Sequence, residues 1–411
     1  MHGRGVRLPV ALGVTVVAAG AATLALRPRS GLIQPAPVRA TAYFSPAELD
    51  RIHAYAGPQR ALALGSLALS GAAIALMAFR PPRRARRALD RLAERRPRLA
   101  TATTGVAIVI VVTVVTLPLA AISHQRAVDY GLSTQDWGGW ASDLVKSEAI
   151  GAVLTALGAV ILVALMRRFA GRWWIPGGVA VIALGALFTF VAPVVLEPIF
   201  NKFTPVPPGR LRSDVLDLAR RSGVHVGQVY KVDASRRTTG TNAYVAGLGS
   251  TKRVVLYDTL MARYDNAEVN SVVAHELGHV KHRDVLRSLL WLALVAPAAT
   301  LLVQVLTERI APRGARPGPA VLPAAALSIA LVSFGTGIAS NALSRGVEAS
   351  ADAYALRLTH DPKAFISVER RLTTDNLIDP DPPGWVEVLF GSHPPTLERI
   401  GYALRYERGG G

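Results

Sequence analysis

Val272-Val273-Ala274-His275-Glu276-Leu277-Gly278-His279-Val280-Lys281-His282-Arg283-Asp284 is the stretch on which the reading of this chain turns. It holds H-E-x-x-H, with His275, Glu276 and His279. On a helix, residues four apart lie on one face, so the two imidazoles reach one tetrahedral zinc ion. Glu276 then stands beside the ion as general base for a water that the metal activates. The stretch is predicted helical. Asp265, with Glu268 three residues on, makes a capping box, and Val269, Val272, Val273 and Val280 recur at helical spacing. A zinc hydrolase needs a third protein ligand and an open position. A metzincin places a third histidine six residues after His279, where this chain has Val285. A carboxylate from a later helix is the remaining option. Glu348 and Asp352, four apart, share a helical face. Glu348 is placed to bind the metal and Asp352 to accept a hydrogen bond from a ligand imidazole. The same two acids would equally suit a solvated helix face. His282 shares the face of His275 and reads as a neighbour, not a ligand.

The surrounding chain is that of a membrane protein. Of 411 residues, 51% are hydrophobic, and seven apolar runs are long enough to cross a bilayer: Leu8–Leu26, Ala61–Phe79, Thr101–Ile122 (broken late by Pro118), Glu148–Met166, Ile175–Leu196, Leu286–Thr307 and Pro319–Ala339. The expected fold class is mainly α, a polytopic helical bundle of about seven spans with a small β-sheet in a soluble segment. That segment, residues 200–283, offers a helix at Arg210–Gly223, strands at Gln228–Val232, Asn242–Ala246 and Arg253–Tyr257, and a turn at Gly247–Ser250. Arg80–Arg98 reads as a solvated amphipathic connector, Ser123–Lys146 as an aromatic, mildly acidic loop, and Asn341–Leu358 as one more helix. Four parts follow: a membrane region over 1–196, a soluble segment with the H-E-x-x-H helix over 197–285, two spans over 286–340, and a soluble C-terminal part over 341–411. The net charge of +18 comes mostly from arginine. Its clustering beside apolar runs fits anionic headgroups and topology control; no nucleic-acid-binding motif accompanies it. With no cysteine, a metal must be held by histidine and carboxylate.

H-E-L-G-H followed by E-A-S-A-D resembles the paired motifs of integral-membrane zinc endopeptidases related to CAAX prenyl protease 1 and, more distantly, to HtpX. Asn201-Lys202-Phe203-Thr204-Pro205, Thr241-Asn242-Ala243-Tyr244, Leu256-Tyr257-Asp258-Thr259, and Gly391-Ser392-His393-Pro394-Pro395 with Arg399 extend the resemblance over roughly Gly131–Tyr402. It implies a gluzincin-type site with one zinc held by His275, His279 and Glu348, and Glu276 as base. It also implies His393 near the scissile carbonyl as an N–H donor, Arg399 orienting that region, Asp284 close to the metal, and a hydrated chamber among the spans. Asn242, Ala243 and Tyr244 lie on a strand that pairs with an extended peptide. The expected activity is endoproteolysis of a peptide or membrane-protein substrate in a lipid bilayer; the oligomeric state stays open.

Two other readings stand beside it. A site-2-type intramembrane protease would carry H-E-x-x-H inside a span, and a membrane scaffold or pseudoprotease would do no chemistry. A multi-pass cell-membrane location is expected. Arg80–Arg98 alone carries nine arginines, so the positive-inside rule puts that side in the cytoplasm and the metal on the exocytoplasmic side. The eukaryotic members of the resembled family have it the other way.

Overall fold

In lipid only an internally hydrogen-bonded backbone is stable, so long apolar runs become long helices. The computed structural model describes residues 8–247 and 252–409; Arg4, Arg7 and most of the expected turn at 247–250 lie outside them. Among the described residues, seven helices are long and apolar enough to span a membrane. They are α1 (Leu8–Leu26), α2 (Pro46–Phe79), α4 (Pro97–Asp129), α5 (Trp137–Arg168), α6 (Trp174–Val195), α11 (Asp284–Ile310) and α12 (Leu322–Thr359). Between α2 and α4 lies the basic α3 (Arg83–Arg95), which packs on α4 and on the turn at Pro319–Val321.

Several helices outrun the expected spans. α2 starts at a capping box, where the Ser45 side chain accepts from Glu48 N and the Glu48 side chain from Ser45 N. The Ser123–Lys146 loop shrinks because α4 continues to Asp129, and Asp136, accepting from Gly139 N at 2.7 Å, starts α5. Pro118 does not break α4; membrane helices tolerate proline where the freed backbone groups are satisfied locally. The seventh apolar run and the expected separate helix at Asn341–Leu358 are one rod, α12, so the division expected between residues 340 and 341 falls inside a helix.

The soluble segment opens with α7 (Glu197–Phe200), β1 (Phe203–Pro205), α8 (Arg210–Ser222), β2 (Gln228–Val232), β3 (Ala243–Ala246), β4 (Arg253–Tyr257), α9 (Asp258–Arg263) and α10 (Asn266–Lys281). Gly223, at φ 70°, takes the left-handed position that ends α8. The sheet order is β1-β2-β4-β3, with β2 and β4 parallel and β3 an antiparallel edge. After α12 come α13 (Pro362–Asp375), α14 (Gly384–Phe390) and α15 (Thr396–Glu407). One core joins the sheet, α8, α10, α13 and the end of α12, with Val215, Val254, Val273, Leu277, Leu356 and Phe365 all but sealed from water. α10 lies close on α12. A Cβ on Gly278 would stand 3.2 Å from Ala351 Cα, so the glycine of H-E-L-G-H lets the two helices approach without crowding.

α11 runs from Asp284, beside α10, to Ile310 at the far end, roughly 40 Å at 1.5 Å per residue. At that far end the Arg167 Nε–H donates to Pro317 O at 2.9 Å, and α3 meets the same connection. Three arginine-rich segments thus gather at the pole opposite the H-E-x-x-H helix.

Candidate metal centre

α10 starts at the expected capping box, with Asp265 Oδ1 accepting from Glu268 N at 2.9 Å and Glu268 Oε2 from Asp265 N at 3.1 Å. From that start, His275 and His279 come up one turn apart and face α12. There Glu348 meets both. His275 Nε2 and His279 Nε2 are 3.1 Å apart, Glu348 Oε2 is 3.1 Å from the former, and Glu348 Oε1 is 3.7 Å from the latter. Ligands 2.0–2.2 Å from one tetrahedral ion stand roughly 3.3 Å from each other, which is the scale of this triangle.

The other ring nitrogens fix the tautomers. His275 Nδ1 lies 2.8 Å from Asp352 Oδ1, and His279 Nδ1 lies 3.0 Å from Asp284 Oδ2. A carboxylate only accepts, so both imidazoles donate through Nδ1–H and turn Nε2 lone pairs toward one point. Glu348 Oε2 is buried there without a hydrogen-bond partner. Two lone pairs and an orphaned carboxylate oxygen repel one another unless a cation stands between them, so this donor set fits a metal ion. Among the described residues this is the one His/Asp/Glu group close enough to hold an ion. Burial opposes charge on His275, but the Asp352 and Glu348 carboxylates outweigh it and push its imidazole up to about 10.

Around the triangle lies a second ring of groups. Arg399 forks onto Asp352 at 2.8 and 2.6 Å and reaches Glu369 Oε2 at 2.7 Å. Asp352 is completely sealed from solvent. Arg287 holds Asp284 at 2.6 Å. His393 enters from the opposite side, its Nε2 3.4 Å from Glu348 Oε2, on a side chain 60% exposed. His282 stays out of the group; its Nδ1 faces Ser350 Oγ at 3.2 Å and its ring meets Tyr354 edge-on.

Glu276 opens on a cavity of about 710 Å³ walled by β3, α6 and the start of α11, and on a second of about 520 Å³ between α6, α11 and α12. Burial pushes its carboxyl upward, with His275 and His279 pulling against the rise. Tyr244 lines the larger cavity, its hydroxyl donating to Glu197 Oε2 at 2.6 Å. Asn242 turns its side chain onto Ala243 N at 2.9 Å, and Ala243 is buried. The structure thus brings His275, His279, Glu348, Asp352, Arg399 and His393 into one cluster with Glu276 at its open edge. Tyr244 is a wall of the cavity, while the Asn242 and Ala243 side chains are directed elsewhere. Sequence reading did not single out Glu369, Arg287 or the Tyr244–Glu197 contact. α10, which carries H-E-x-x-H, is not among the seven described helices long and apolar enough to cross a membrane, whereas the site-2-type alternative would carry the motif on such a helix.

Residues 205–407 match the family model described as peptidase family M48, and residues 36–202 match CAAX prenyl protease N-terminal, five membrane helices. A Bacillus subtilis protein named uncharacterized metalloprotease YhfN is 33% identical over 305 residues, 72% of each chain. A CAAX prenyl protease 1 homolog of Oryza sativa subsp. japonica is 32% identical over 224 residues, 53% of this chain and 52% of that one. The crystal structure of S. mikatae Ste24p superposes with a TM-score of 0.71 at 20% identity, covering 96% of this chain and 98% of that chain, and so shares the fold.

Proposed function

The chain belongs to peptidase family M48 as a CAAX prenyl protease-like, multi-pass membrane metalloprotease, and we propose that it cuts extended peptide segments of membrane-associated substrates with one zinc held by His275, His279 and Glu348. The observation that carries this is the convergence of two Nε2 lone pairs and the orphaned Glu348 Oε2 on one point. Zinc bound there supplies a Lewis acid that polarises the scissile carbonyl and lowers the pKa of water.

The chain's own groups do the rest. Glu276 faces the cavity, takes a proton at its carboxylate and returns it to the leaving amine. The exposed His393 imidazole donates an N–H toward the developing oxyanion. Asp352 holds the His275 ring through Nδ1–H and is itself held by Arg399. These are positioning roles, which in metal sites typically matter 10–100-fold. Among the described residues β3 is the antiparallel edge strand of the sheet, beside Glu276; an extended peptide adds to such an edge by backbone hydrogen bonds, with specificity left to the side-chain pockets. That reading needs the β3 backbone at Tyr244, and it assigns no contact to the Asn242 side chain.

The gathering of arginines at the far pole supports a metal centre on the exocytoplasmic face of the cell membrane. A reporter fused after Gly411 that is active only in the cytoplasm would reverse that side. The functional reading is tested by a membrane-peptide cleavage assay with metal analysis. Chelator should abolish cleavage and zinc restore it; cleavage unchanged by chelation would refute the reading.

A further inference from the structure

One surface beside the metal centre is not explained by the chemistry. α14 reads Gly-Trp-Val-Glu-Val-Leu-Phe, and its Trp385, Val388 and Phe390 are 49%, 50% and 41% exposed. Next to them on the span α12, Leu331 and Phe334 are equally open. The Phe334 and Phe390 rings lie 6.1 Å apart and those of Trp385 and Phe390 6.5 Å, so one apolar strip runs from the outer face of α12 onto α14. The only ionisable residue of α14, Glu387, has its carboxylate 3.6 Å from Arg345 on α12.

The inner side of the same segment is tied to the site. Arg345 Nη1 donates to Glu387 O at 2.9 Å and to Gly391 O at 2.6 Å, and Asn341 Nδ2 donates to Leu389 O at 3.0 Å. His393 follows two residues after Gly391 and stands 3.4 Å from Glu348. Arg345 lies one turn before Glu348 on the same helix. The clamp and the metal ligand therefore share a rigid rod.

We propose that α14 is an interfacial anchor: its Trp385–Val388 face lies in the lipid boundary, with Phe390 bridging to α12, and through Arg345 and Asn341 that seating fixes where His393 stands. The occupant is the bilayer because the strip continues the lipid-facing side of a span, carries no charge, and presents a tryptophan where interfacial aromatics concentrate. Turnover then depends on the membrane as well as on the metal. The link to turnover rests on the His393 role proposed above; the lipid contact does not.

The chain has no cysteine, so Val388→Cys creates a single labelling site. A nitroxide there, in nanodiscs of phosphatidylethanolamine and phosphatidylglycerol, is expected to collide with oxygen and to be shielded from a water-soluble nickel chelate. Collision with nickel would put the face in water, and shielding from both would put a second copy or another protein on it; either result overturns the anchor. The second arm is Val388→Asp, checked for wild-type metal content and elution volume. It should lower kcat roughly tenfold, as small misplacements of a reacting group do, with no further loss in a His393→Ala background. An equal loss in both backgrounds would overturn the coupling to His393 while leaving the nitroxide result to decide the lipid contact separately.

Discussion

α10 and α6 both wall the cavities at Glu276, and they are built on opposite terms. On α10, Val273, Ala274 and Leu277 are fully sealed against protein. On α6, none of the apolar window of its span is buried, and the helix leans on α11 while barely touching α5. Apolar side chains serve both helices, but one meets protein and the other lipid. The proposed metal ligands thus sit on the tightly packed side of the site, where small errors of geometry are suppressed, while the other wall meets protein mainly through α11. Chemistry should therefore be sensitive to changes on α10 and α12 and tolerant of changes on α6.

The largest effect expected is on the packed side. Glu276→Gln should lower kcat roughly a thousandfold, the scale of losing a positioned proton acceptor, while metal content stays at the wild-type level; parallel turnover and metal assays check it. Retained turnover would move the base elsewhere. Next is Asp352→Asn, which leaves the His275 Nδ1–H with a poorer acceptor and Arg399 without its fork. Zinc affinity should fall about 10–100-fold, read by competition with a chromogenic chelator.

Smaller effects separate the two helices directly. Gly278→Ala sets a methyl against the Ala351 backbone, which cannot move aside, and should cost about 2 kcal/mol in thermal unfolding, as overpacking does. Gly185→Ala on α6 meets only the tip of the Leu292 side chain, which can rotate, and should be close to neutral. If both cost the same, the contrast between the walls is wrong. The mildest pair is Val273→Ala against Val179→Ala. The first empties a sealed core position and should cost about 2 kcal/mol. The second, 63% exposed on α6, should stay within about 0.5 kcal/mol.

Much of this contrast was legible before the structure. The seven spans follow from apolar length and H-E-x-x-H from one short stretch, because both signals are local in sequence; Glu348 joined the two histidines as a ligand, ahead of a solvated helix face, only through the family resemblance. Strand positions were close, with β2 and β4 as expected and β3 starting at Ala243 instead of Asn242. β1 escaped notice because three residues set no period. The order β1-β2-β4-β3, which leaves β3 at the edge, is a tertiary fact with no local signature. The same holds for Glu369, which reaches Arg399 across 30 residues of sequence, and for Arg345, whose nearest partners are backbone carbonyls that any sequence would offer. The division between a last span and a separate Glu348 helix failed for a different reason. The outer polar turns of α12 look like a break in hydropathy but continue the same helical register out of the membrane.

The measurement that bears most directly on the account is metal content with X-ray absorption on the wild-type protein and on Glu348→Ala, both purified without added chelator. The account predicts one zinc per wild-type chain, with two imidazole nitrogens and a carboxylate oxygen at roughly 2.0–2.2 Å, and its loss in Glu348→Ala. A full complement of zinc in Glu348→Ala, with an unchanged ligand shell, would contradict it.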